Sequence, residues 1–138
     1  MRLSCRSGER GQMMVLAAVV MAFLFLPLCV FVIDDALVAS GYTQLGETLQ
    51  AAAEDGASTI DETAYRSSGG ETVVLDASGA QQVAGHSLQV ASLPGLGDWK
   101  VDVTGQRVTV SGTLRVPLLV LGTATLKEVR SATFAYGQ

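Results

Sequence analysis

From Met13 to Ile33 the chain runs for 21 residues, MMVLAAVVMAFLFLPLCVFVI, without one charged side chain, and the pair Asp34-Asp35 closes the run. A helix needs about 20 apolar residues to cross the roughly 30 Å hydrocarbon core of a bilayer. This stretch is therefore expected to be a transmembrane helix before it is expected to be the core helix of a soluble domain. Whatever else the chain folds into must be arranged on the two sides of it.

Charge sets the direction of the span. Arg2, Arg6 and Arg10 precede it against the single acid Glu9, and the next basic residue is Arg66. Basic flanks stay in the cytoplasm, so the topology expected is N-terminus inside and residues from Asp34 onward outside a cytoplasmic (inner) membrane. A secretory signal shares the order of basic and apolar parts, but its apolar region runs for about 7–15 residues. The small residues of Ala36-Leu37-Val38-Ala39-Ser40 lie beyond two aspartates, and Leu28 before Cys29 is too bulky for a lipoprotein cleavage site. A secreted small domain with a long signal peptide remains the alternative.

Beyond the run, residues 34–138 hold twelve acids and six bases, a balance of −6. That sign argues against nucleic acid as a partner and against electrostatic docking on anionic lipid. Of the two cysteines, Cys5 falls on the cytoplasmic side and Cys29 within the run, so the outer part must fold without a disulfide. Apart from a helical stalk, about 75 residues remain for an exported domain, which buries only a modest core.

Periodicity carries the helix past the membrane. Leu37, Gly41, Leu45, Leu49, Ala52, Gly56 and Ile60 recur every three or four residues, one stripe of an α-helix, while Glu47, Gln50, Glu54 and Asp61 fill another. A helix from Met13 to Asp61 would be roughly 70 Å long. Small residues on the stripe suit close approach by a second helix; the stripe can equally cover the chain's own domain. Ser67-Ser68-Gly69-Gly70 reads as a turn. Thr72 to Leu75 leads to Asp76, the expected N-cap of a shorter helix with Ala80, Val83, Ala84, Leu88 and Ala91 on its apolar face, ended by Pro94-Gly95. At Trp99 the period drops to two. Trp99, Val101 and Val103 alternate with polar residues, Gly105-Gln106 suits a two-residue turn, and Val108, Val110, Leu114 and Val116 answer on one face. A third strand is expected over about Ala124–Tyr136. The apolar Val116–Leu121 between them is either a strand end turning inward or a loop that touches a partner or the membrane surface. The chain thus reads as a membrane-anchored α+β protein: a basic stub over 1–12, a span over 13–33, a helical stalk over 34–62 and a small head with a three-stranded antiparallel sheet over 63–138.

Motifs that carry chemistry are missing. His86 is the one histidine, and no cysteine lies beyond the run to act as nucleophile or zinc ligand. No phosphate-binding GxxxxGK[ST], GxSxG elbow or GxGxxG opening a helix occurs. The acidic pairs Asp34-Asp35, Glu54-Asp55 and Asp61-Glu62 are adjacent, and neighbouring helical residues diverge too far to form an acid/base dyad or a calcium loop. The expectation is no enzymatic activity, no cofactor, no metal and no small-molecule substrate.

Glu9-Arg10-Gly11-Gln12 leading into the run, an acid closing it at Asp34 or Asp35, and then Thr48-Leu49-Gln50-Ala51-Ala52-Ala53-Glu54-Asp55-Gly56-Ala57 together resemble the TadE/TadG-like proteins of tight-adherence (Flp-type, type IV-like) pilus systems. The resemblance covers residues 9–60. It implies a pilin-like fold, a structural or assembly role in a pilus, partners among other pilus or envelope proteins met through the span and stalk, and processing between Gly11 and Gln12. One departure bears on the last point. TadE-like chains carry a glutamate a few residues after the Gly-Gln pair, whereas the fifth residue from Gln12 is Leu16 and no acid lies between Gln12 and Ile33. The uncleaved TadG-like branch or a minor component fits that better. A membrane-tethered envelope binding module is the alternative from another class.

Overall fold

The computed structural model describes residues 8–71, 73–120 and 122–134, with side chains from residue 11 onward. Helix α1 spans Gly8–Ala57, α2 Glu62–Ser67 and α3 Ala77–Ala91. Strands β1 Leu96–Thr104, β2 Arg107–Pro117 and β3 Thr123–Thr133 form one antiparallel sheet in the order β1-β2-β3. The chain divides into two compact units, Met1–Ala36 and Leu37–Gln138. In the first, the described residues are all helical, and Gly11 to Cys29 are exposed throughout. Pro27 sits inside this helix.

The second unit is built on the 37–57 portion of α1. Gly41, Leu45, Leu49, Ala52, Ala53, Gly56 and Ala57 are buried there. Against them stand the inward residues of β2, where burial alternates along the strand through Val108, Val110, Gly112, Leu114 and Val116. Leu126 of β3 and Ala80, Ala84 and Leu88 of α3 complete the core. Leu45, Leu49, Leu88, Val108 and Val110 are fully buried, and each such side chain contributes about 1.5–3 kcal/mol through its removal from water. Two glycines let the layers meet. A Cβ on Gly41 would lie 2.7 Å from Val116 Cγ2 and 3.0 Å from Leu126 Cδ1; one on Gly56 would lie 3.0 Å from the Ala80 carbonyl oxygen and 3.1 Å from Ala84 Cβ. The small residues of the stripe thus admit the chain's own sheet and its own third helix.

A long apolar N-terminal helix followed by a small three-stranded antiparallel sheet packed on a helix is a pilin-like α+β layout. The hairpin forms where alternation predicts it. Thr104 pairs with Arg107 across Gly105-Gln106, and Gly105 has φ 59°, as the first turn residue of a twist-matched hairpin requires. Asp76 caps α3 as expected, its carboxylate accepting from the Ser78 N–H at 3.0 Å and the Ser78 hydroxyl at 2.8 Å.

Four expectations need correction. Helix α1 ends at Ala57, not Asp61, and α2 follows. Asp61 belongs to this next helix: its carboxylate accepts from Thr63 N–H at 2.9 Å and Ala64 N–H at 3.0 Å. Ile60, extended between the two helices, bridges Leu75. Residues 37–57 are not a stalk apart from a head, because their buried stripe belongs to the same compact unit as the sheet. On α3 the buried face is Ala80, Ala84, Gly85 and Leu88, with Val83 and Ala91 exposed. The face turns toward Gly85 because the Trp99 ring lies there, its Cη2 3.2 Å from the site of a Cβ. That helix ends at Ala91, where Ser92 takes a left-handed conformation (φ 45°), ahead of the expected Pro94. Thr72, Leu121 and the expected strand end past Phe134 lie outside the described residues.

Candidate functional site

The first candidate is the apolar stretch of α1. From Met13 to Ile33 it is about 32 Å long, enough to cross a hydrocarbon core. It presents apolar side chains all round: Met13, Phe23, Leu26 and Val32 are each more than 60% exposed. A helix apolar on every side has no face suited to water. Length and composition make it a candidate membrane anchor, and a signal sequence has the same properties. At its lower border the two aspartates separate: Asp34 is buried at 4% exposure, whereas Asp35 is exposed.

The flanking residues are placed as follows. Arg2 and Arg6 lie outside the described residues, and Arg10 stands in the first turn of α1 with its side chain undescribed. Gly11 and Gln12 are helical and exposed, with open space around Gly11. Of the stripe, Gly41, Leu45, Leu49, Ala52 and Gly56 come together in the core of the second unit. Leu37 and Ile60, at its ends, remain 39% and 43% exposed.

The surface of the second unit is divided by charge. Pairing in register puts Lys100, Asp102, Arg107, Thr109, Ser111, Thr113, Arg115, Lys127, Val129 and Ser131 on the sheet face away from the core. Lys100 bonds Asp102 at 2.6 Å. Arg107, Arg115 and Lys127 are exposed and make no ion pair among the described residues. The helical side is acidic. Glu47, Glu54 and Asp55 are exposed on α1, Glu54 accepting from Gln50 at 2.7 Å and Asp55 from Ser87 at 2.6 Å. Glu62 pairs with Arg66 along α2. Sequence reading registered the net acidity but not this division. Its signal was the complement of the buried alternation in β2, Arg107-x-Thr109-x-Ser111-x-Thr113-x-Arg115.

Between β2 and β3 the apolar segment serves two uses. Val116 points into the core and Leu118 packs on it, whereas Leu119 and Val120 are 64% and 67% exposed. His86 is exposed on α3. Among the described residues no three His, Cys, Asp or Glu side chains converge to hold a metal. The carboxyl of Asp76 is held below the ordinary carboxylate range, first by the Ser78 hydroxyl and then by the backbone N–H groups of Gly79 and Ser78; its use is to cap a helix. No family model, curated protein or solved structure matches this chain.

Proposed function

We propose that this chain is a non-catalytic structural subunit of a tight-adherence (Flp or type IV-like) pilus machine, a minor pilin or a TadE/TadG-like assembly protein. Met13–Ile33 anchors it in the cytoplasmic membrane, the N-terminus is inside, and the unit from Leu37 onward stands outside. The observation that carries the reading is the pilin-like layout itself, a long exposed apolar helix running on into the core of a small α+β unit. The Arg10-Gly11-Gln12 opening and the arginine bias of the N-terminus support the finer assignment. Partners are membrane lipid and other pilus or envelope proteins.

Retention of the helix is favoured over removal as a signal by Val38, which packs on the core cluster. Cleavage after Ala39 would strip that contact from the domain it releases. The test is the intact mass of the protein from washed membranes and from sheared surface filaments. A chain retaining Met13–Ile33 in either fraction supports the reading, with Gln12 as first residue marking a processed pilin and an uncut start marking the TadG-like form. A chain beginning at Ser40 or Gly41 in the culture fluid contradicts it.

A further inference from the structure

The second unit carries opposite charge on its two broad sides. On the outer face of the sheet, four bases (Lys100, Arg107, Arg115, Lys127) stand against two acids, Asp98 and Asp102, a balance of +2. The helices carry seven acids, Glu47, Glu54, Asp55, Asp61, Glu62, Glu71 and Asp76 with their caps and linkers, against Arg66 alone, a balance of −6. The sheet face is hydroxyl-rich, and the apolar Val129 on it is 55% exposed. Asp98, Lys100, Ser111, Thr113 and Lys127 border a shallow hollow on it, and Thr43, Glu47, Gln50 and Glu54 of α1, with Arg130 of β3, border a groove along α1. Spacing matches as well. Lys100 and Lys127 stand two strands and two residues apart, about 12 Å; Glu47 and Glu54 stand two helical turns apart, about 10 Å.

We propose that the basic sheet face of one copy docks on the acidic outer face of α1 of the next, so that copies associate head to tail. A protein of net −4 repels its copies as a whole, yet segregated charge reverses this for one orientation and selects it. Such an interface is heterologous: the surface that binds is not the surface bound, and repetition leaves an open row instead of a closed dimer. The inference rests on the reading of the chain as an assembly subunit and names the surfaces that would join its copies.

The test uses the full chain in membranes with Cys5 and Cys29 replaced by serine. One copy carries Val129→Cys and a co-expressed copy carries Ala51→Cys, and a short bis-maleimide is added. Cross-linking between the two variants, with neither variant linking to itself, is the expected result. Adding Arg115→Glu and Lys127→Glu to the Val129→Cys copy lowers the yield by about tenfold or more. Adding Glu47→Lys and Glu54→Lys to the Ala51→Cys partner of that copy restores it, which misfolding of either variant would not do. A Val129→Cys copy that links to itself, a yield indifferent to charge, or no rescue overturns the proposal. So does retention on an anionic polysaccharide matrix without any cross-link, which assigns the face to a polymer. Fractionation of the same samples reports separately on the anchor: a membrane-retained chain that does not cross-link sinks the inference alone, and a soluble chain starting at Ser40 sinks the anchor whatever the cross-link shows.

Discussion

The two parts of helix α1 share a backbone and differ in what surrounds it. From Met13 to Cys29 every side chain is exposed and the residues are apolar on all sides. From Gly41 to Ala57 a stripe of small and aliphatic residues is buried while Glu47, Glu54 and Asp55 face outward. Among the described residues nothing covers the first of these stretches, the upper part, whereas the second, the lower part, is covered by the chain's own sheet and third helix. Hydrophobicity alone does not separate a span from a core helix; the number of faces that are apolar does. The glycines of the lower part make the same point, since Gly41 and Gly56 serve contacts within the chain where a lipid-exposed glycine would serve another subunit.

Substitutions at matched positions test that difference. Leu49→Ala removes a fully buried side chain from the lower part and should destabilise the second unit by about 2–5 kcal/mol, read by thermal unfolding in detergent. Leu24→Ala in the upper part should leave the same transition unmoved. Conversely, Val20→Arg should cost membrane insertion of the apolar stretch about 2.5–3.5 kcal/mol and lower the share of protein retained in carbonate-washed membranes, with the melting of the second unit preserved. Gly41→Ala should destabilise by about 1–3 kcal/mol, because its methyl meets Val116 and Leu126; the same change at Gly11, with open space around it, should not.

The weakest effect concerns the capped helices. Asp76→Ala should lower the unfolding temperature slightly, and Ser78→Ala should lower it less. The folded Asp76 carboxyl titrates below its ordinary value, so its contribution is fully present above about pH 4, the unfolded value. It is lost as the pH falls through the depressed folded value. A melting series from pH 6 to pH 2 should therefore converge for the wild type and Asp76→Ala at the acid end, and a constant gap between them would refute the capping account.

Legibility followed the range of the physical signal. The hairpin was readable because alternation, a glycine-first turn and an answering apolar face are all local, and they agree over Trp99–Val116. The cap at Asp76 was readable for the same reason. The end of α1 was not: Asp61 has the right spacing to continue a polar stripe, and only its bonds to Thr63 and Ala64 reveal that it starts α2. The stripe from Leu37 to Ile60 was visible as a stripe, but its partners are a sheet and a third helix distant in sequence, which periodicity cannot name. The basic sheet face was written in the polar half of the β2 alternation and became a surface only once the register aligned Lys100 and Lys127 with it.

Labelling of single cysteines in intact cells bears most directly on the anchor. In a chain with Cys5→Ser and Cys29→Ser, one variant carries Ser4→Cys and another carries Gln81→Cys on the exposed side of α3. A membrane-impermeant maleimide should label Gln81→Cys from outside and reach Ser4→Cys only after lysis, with both proteins retained in the membrane fraction. Labelling of Ser4→Cys in intact cells, or recovery of the Gln81→Cys protein from the medium without residues 13–33, would contradict an N-in span joined to an external pilin-like unit.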